Sequence, residues 1–279
     1  MHLSPRYDSD PIIVIDSDPA SIAAPAIAQR RRLLDAVTAF TPDQWSHASR
    51  CDGWTNRDVI VHLDGTNSYW TASIRSGLQG EPTRFLRSFD PVATPAELLA
   101  AAGDQPHAAV LESFRTSTEA LVELWESLDA SQWSAIAEAP PGHLRVSEVT
   151  HHALWDSWVH ERDILEPLGL ALHTDPAEVD SCLRYAVALG PALALSNGLD
   201  HPSSYTVRAE EPGPMLDVEV SDRVHVSDGT PGGDADLCGG SVELVEALSL
   251  RAPFPAAPDA AVERMHAGLV AAFDADQRS

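Results

Sequence analysis

The chain is predicted to be an α+β protein, a bundle of four helices followed by a smaller domain that mixes strands with helices. Three observations carry this expectation. Apolar residues recur at helical spacing in four segments before residue 170, period-2 alternation appears only after residue 204, and Pro- and Gly-containing stretches separate the segments. At 279 residues the chain exceeds the usual size of a single core, so two domains are expected. The boundaries are placed at 1–20 for an extended tail, 21–173 for the bundle and 174–279 for the C-terminal domain.

Residues 1–20 carry Pro5, Pro11 and Pro19 among several Asp and Ser residues and read as a tail or extended arm. From Ile22 to Phe40 the apolar positions Ile27, Leu34 and Val37 predict a first helix, with Arg30, Arg31 and Arg32 on a solvated face. Thr41-Pro42-Asp43 starts a new helical turn, Pro suiting a first helical position, with Trp45 facing the core. Thr55 followed by Asp58 has the spacing of an N-cap, and a helix is expected from there through Val59, His62, Leu63 and Tyr69 to about Arg75. Pro82 to Pro95 reads as a long connection. A third helix is expected from Pro106 to Leu128 on the spacing of Val110, Phe114, Leu121 and Leu124. Pro140-Pro141-Gly142 breaks the chain, and a fourth helix runs from near Ser147 to Leu165, ended by Pro167-Leu168-Gly169. Four such helices predict a bundle.

A further helix follows His173-Thr174-Asp175-Pro176 to about Ser196. Alternating runs at Tyr205–Arg208, Leu216–Val220 and Val224–Val226 then read as half-buried strands. Short helices are expected at Ser241–Leu250 and Pro258–Phe273.

Composition restricts the partners. The formal charge is −24, and all 18 basic residues are Arg, a field that repels phosphate backbones and anionic lipid. Nucleic acid and membrane surfaces are therefore not expected partners. No run approaches the ~20 apolar residues of a membrane span, and Ile12–Ile15 is too short for a signal-peptide core. A cytoplasmic location is expected. Cys51, Cys182 and Cys238 are too widely spaced for a disulfide framework or a CxxC site. Oligomeric state is left open.

The chemistry concentrates in His151-His152-Ala153-Leu154-Trp155-Asp156-Ser157-Trp158-Val159-His160. On a helix His152, Asp156 and His160 share one face. Two ligands from this face plus one from a facing helix make a three-ligand site with an open fourth position, the form of a catalytic zinc site. His62, among Val59, Ile60, Val61 and Leu63, is the partner on a second helix, where an uncompensated polar ring is costly. Spacing alone leaves open the blander reading of hydrogen-bonded core histidines. The remaining internal histidines, His47, His107, His143, His173, His201, His225 and His266, show no such pattern.

The pairing of Cys51-Asp52-Gly53-Trp54-Thr55-Asn56-Arg57-Asp58-Val59-Ile60-Val61-His62-Leu63 with Trp158-Val159-His160-Glu161-Arg162-Asp163-Ile164 resembles the mycothiol-dependent maleylpyruvate isomerase family, within the DinB-like metal-binding bundle superfamily. The resemblance covers roughly residues 25–172 and implies a DinB-like four-helix bundle. More weakly, Ala235–Ser241 and Glu246–Arg251 resemble the closing strand and helix of an appended sterol-carrier-like α/β domain. By position the resemblance implies His62, Asp156 and His160 as metal ligands, with His152 a rival to Asp156 because the family often has Glu there. It makes Asp163 an orienting or structural residue and implies Arg251 as a catalytic residue acting across the domain interface. Trp54 and Trp158 are the expected cofactor-binding residues, with Tyr69 and Trp155 as further pocket candidates.

The implied cofactors are a divalent metal, zinc by default, and mycothiol, with a small electrophile as substrate. The metal lowers the pKa of a coordinated thiol, and the resulting thiolate is the nucleophile. Addition and elimination give cis–trans isomerisation, whereas loss of a leaving group gives S-transfer. A scaffold recruited to another reaction, and a non-catalytic metal- or ligand-binding protein, are the alternatives.

Overall fold

The computed structural model describes residues 4–8, 10–88, 90, 93–199, 202–210, 213–230, 232–255 and 260–273. Four helices close a ring: α1 (Ala23–Thr38), α3 (Asn56–Leu78), α5 (His107–Ser127) and α6 (Val146–Leu165). In the ring α1 packs on α5 and α6, and α3 packs on the same two. Between α1 and α3 lies the single turn α2 (Pro42–Trp45), whose start is fixed by Thr41 and Gln44 capping each other's backbone. Thr55 and Asp58 make the same reciprocal cap at the head of α3, which holds the entry to the helix that carries His62. The expected connection before α5 ends in another helix, α4 (Ala93–Ala102), which packs on α3.

The break at Pro140-Pro141 is the turn of a hairpin, β2 (Ile136–Ala139) paired antiparallel with β3 (Gly142–Arg145). Gly142 takes φ +133°, and a Cβ there would meet the Arg6 carbonyl oxygen at 2.1 Å. Only glycine admits the N-terminal arm at that distance.

After α6 the chain continues into α7 (Pro176–Ser196), capped by the Asp175 side chain on the Ala177 and Glu178 amides. A mixed five-stranded sheet follows, in the order β1-β6-β5-β4-β7. Its strands are β1 (Ile13–Ile15), β4 (Ser203–Ala209), β5 (Met215–Val220), β6 (Val224–Asp228) and β7 (Leu237–Gly239). Part of the expected N-terminal arm is thus an edge strand, with Ile13 opposite Val224 in parallel register. The helices α8 (Ser241–Leu248) and α9 (Ala260–Phe273) complete the described chain, both against α7.

Helix α7 binds the halves together. It packs on α1 and α6 of the bundle and on β1, β5 and β6 of the sheet. One apolar cluster therefore runs from Trp70, Trp125 and Trp158 through Leu183 and Leu189 to Val207, Val218 and Val226. A smaller cluster, including Leu33, Val37, Val59, Leu63, Phe114 and Ile164, closes the opposite end of the bundle. Among the described residues no helix is long and apolar enough to cross a membrane.

Candidate metal centre

The seam between α3 and α6 brings His62, Asp156 and His160 together. One ligand atom from each lies within 4.8 Å of the others. His62 Nε2 is 3.7 Å and His160 Nε2 is 3.6 Å from Asp156 Oδ1, distances beyond a hydrogen bond. Both ring nitrogens of His62, and Asp156 Oδ2, are enclosed with no hydrogen-bond partner. Each such orphan costs about 1–3 kcal/mol, and a cation at the centre of the three would take one nitrogen of the His62 ring and a carboxylate oxygen of Asp156. Burial alone would raise the Asp156 pKa, but His62, His160 and His152 outweigh it and hold the carboxyl well below the usual range. Asp156 is therefore a charged, acceptor-only group facing two imidazoles. That donor chemistry fits a divalent cation.

Behind His160 stands Asp163, fully buried, with Oδ2 at 2.9 Å from His160 Nδ1. An imidazole tied through Nδ1 to a carboxylate turns its Nε2 lone pair forward, as metal-bound histidines do. Burial opposes protonation of the His160 ring, but Cys51, Asp163 and Asp156 together push it up to about 10. Asp163 also accepts from Arg251 Nε at 3.0 Å, Arg251 Nη2 at 3.0 Å and Arg50 Nε at 3.1 Å. Cys51 Sγ is 3.2 Å from Asp163 Oδ2 and 3.7 Å from His160 Nδ1.

Cys51, His160 and Asp163 form a second group with convergent ligand atoms. Two guanidiniums already neutralise Asp163, and it occupies His160 Nδ1, so this group suits a cation poorly. The first group has the unpartnered atoms.

Residues 27–165 match the family model of the mycothiol maleylpyruvate isomerase N-terminal domain. The chain belongs to this family. Two solved structures share its fold. The mycothiol-dependent maleylpyruvate isomerase is 16% identical, with a TM-score of 0.57 over 84% of this chain and 88% of that one. A histidine-to-alanine mutant of the mycothiol-dependent maleylpyruvate isomerase is 15% identical, with a TM-score of 0.56 over the same shares. No curated protein sequence matches the chain significantly.

Within this family bundle the other expected site residues fall in distinct places. Arg251 follows α8 and reaches α6 from the C-terminal half, entering through Leu250, which holds a left-handed φ of +61°. It meets Asp163 and Cys51, on the Nδ1 edge of His160 rather than the edge facing Asp156. Trp54 is half-buried, its ring centroid 5.6 Å from that of His62. Trp158 is wholly enclosed in the larger core, with the Arg162 guanidinium 3.8 Å above its ring. Tyr69 spends its hydroxyl on the Glu138 carbonyl, and Trp155 donates Nε1 to Ser249 Oγ. His152 lies outside the convergent group, with Nδ1 2.6 Å from Tyr185 Oη.

Sequence reading missed Arg50 and Tyr185 and gave Cys51 no place in the site. Cys51 opens the stretch that leads to His62, which was a usable signal. Tyr185 had none, since it comes from α7.

Proposed function

We propose that this chain is a divalent-metal-dependent enzyme that takes mycothiol as its thiol and acts on a small electrophile of the maleylpyruvate type. The observation that carries the reading is His62, a half-buried imidazole whose two ring nitrogens are enclosed without a hydrogen-bond partner, beside an Asp156 oxygen in the same condition. Family membership of residues 27–165 and the shared fold of the two isomerase structures support the thiol and the substrate class.

His62, Asp156 and His160 are the residues that would hold the cation, with zinc the default for two imidazoles and a carboxylate. Nickel, iron or manganese suit the same donors. Bound there, the cation would lower the pKa of a coordinated thiol and so supply thiolate at neutral pH.

The chain's own residues prepare this chemistry. Asp163 holds the proton of His160 on Nδ1 and leaves Nε2 free to ligate. Asp156 offsets the charge of the cation, and Trp54 packs beside the His62 ring and shields it from water. Arg251 acts as a positioning residue through Asp163, and its guanidinium supplies positive charge toward a substrate carboxylate. Both cis–trans isomerisation and S-transfer use a thiolate delivered in this way.

The test is calorimetric titration of zinc-loaded protein with mycothiol, beside turnover of maleylpyruvate. Saturable binding that disappears in His62→Ala, with mycothiol-dependent turnover, is expected. A protein that keeps its metal yet neither binds mycothiol nor needs it would be a metal-binding module, and the reading would fall.

A further inference from the structure

The α3–α6 seam continues past the three ligands. One turn before Asp156, on the same face of α6, His152 packs against Trp70, two turns beyond His62 on α3. The ring centroids of Trp70, Tyr185 and Trp155 lie 5.0, 5.1 and 5.4 Å from that of His152. The imidazole is only 5% exposed. Burial draws its pKa down to about 4 against the opposing charge of Asp156, so the ring is neutral at neutral pH.

Its tautomer follows from hydrogen-bond accounting. Tyr185 is fully buried, and burial pushes its pKa well up, so the phenol keeps its proton. Among the described residues the hydroxyl has one hydrogen-bond partner, His152 Nδ1, at 2.6 Å. Were Nδ1–H to donate to Tyr185, the phenol O–H would be buried without an acceptor, at a cost of about 1–3 kcal/mol. With Tyr185 donating, both groups are satisfied and the ring proton sits on Nε2. A protonated Nε2 offers no lone pair to a metal. In that tautomer His152 offers no lone pair at Nε2 and is disfavoured as a substitute for Asp156, and it presents a hydrogen-bond donor one helical turn from the ligands.

We propose that His152 is a further catalytic residue, a neutral Nε2–H donor to a carbonyl or carboxylate oxygen of the substrate, set in that tautomer by Tyr185. The proposal rests on reading His62, Asp156 and His160 as the thiol-presenting centre. An α,β-unsaturated carbonyl that takes up a thiolate at its β-carbon gains a C–S bond, and its π pair moves onto the carbonyl oxygen. His152 donates a hydrogen bond to that oxygen and keeps its proton. Once the carbon–carbon bond has rotated, the pair returns, the C–S bond breaks and the thiolate leaves, so nothing is consumed. A neutral donor strengthens as charge grows on the oxygen, which favours the transition state over bound substrate.

The experiment uses ¹⁵N-histidine-labelled full-length protein, with His152 assigned by its absence from His152→Phe. The imidazole is expected as the Nε2–H tautomer with and without one equivalent of Zn²⁺, and maleate, a cis-dicarboxylate probe, is expected to shift its Nε2–H resonance. In turnover of maleylpyruvate with mycothiol, His152→Phe is expected to lose on the order of 100-fold in kcat with bound zinc unchanged. His152→Gln, which keeps a donor, is expected to recover part of that loss. An Nδ1–H tautomer, zinc lost from His152→Phe, a resonance that saturating maleate leaves unmoved, or full turnover by His152→Phe would each overturn the proposal. If wild-type protein fails to turn over maleylpyruvate while His152 responds to zinc and maleate as described, the proposed reaction fails and the donor assignment stands.

Discussion

His160 Nδ1 lies 2.9 Å from Asp163 Oδ2, and that same carboxylate receives Arg251 from the C-terminal half of the chain. One buried side chain thus orients a proposed metal ligand and anchors the two halves to each other. Asp163→Asn keeps the ligand set but removes the charge that holds the Nδ1 proton. It is expected to weaken zinc binding about 10- to 100-fold, measured by competition with a chromophoric chelator. An unchanged affinity would show that the His160–Asp163 contact serves packing alone.

Zinc affinity is expected to rise with pH. His160 is raised to about 10, so in the metal-free protein the ring is protonated at neutral pH and a cation must displace that proton. The protonated ring stabilises the metal-free fold fully below pH ~6.5, and that stabilisation is lost as pH climbs toward 10. The metal needs the deprotonated ring, so its affinity moves the opposite way, climbing up to about tenfold per pH unit below 10. Calorimetry in buffers of different ionisation enthalpy should detect the proton released. Absence of any buffer dependence at pH 7 would contradict the assignment.

Fold stability is expected to fall in mild acid. Burial draws His151 and His152 down to about 4, so both stay neutral in the fold but gain protons in the unfolded chain near pH 6.5. For a depressed histidine the unfolded state binds more protons between these values, so stability drops as pH falls through them. Each ring contributes on the order of 3 kcal/mol across that window. Urea midpoints measured between pH 7 and pH 5 check the direction. A flat profile, or one rising toward pH 5, would count against the buried neutral rings.

Arg32 joins three helices. Its guanidinium donates to Glu161 on α6 at 2.8 Å and to Glu178 on α7 at 2.6 Å, and both carboxylates are almost wholly buried. Arg32→Ala leaves two charges without their cation and is expected to cost about 3–5 kcal/mol, read from urea unfolding. Replacing Arg31, whose partner Glu126 is exposed, is expected to cost under about 1 kcal/mol.

The helices α1, α3 and α5 were legible because each buries an apolar stripe, and several helices announce their starts. Thr55 and Asp58 cap α3 as their spacing predicted. Among the candidate ligands, spacing placed His152, Asp156 and His160 on one face of α6 and left a polar ring, His62, on apolar α3, whereas the resemblance around His62 and His160 singled out His62, Asp156 and His160. Strand β1 was not legible, since three residues carry little pattern and the partner, Val224–Asp228, is more than 200 positions away. The apolar run Ile12–Ile15 records burial without saying against what. Trp158 shares a helix with two of the proposed ligands. Two residues from either, it points away from them at 100° per residue into the core. The place of Arg251 against Asp163 depends on α8 docking beside α6, which no local spacing encodes.

The most direct test of the metal centre is elemental analysis of the native protein, purified at neutral pH without chelator, beside His62→Ala and Asp156→Ala. The account predicts one divalent ion per chain in the native protein and loss of that ion from both folded variants. A native protein free of stoichiometric metal, or variants that retain it in full, would contradict the assignment of His62, Asp156 and His160.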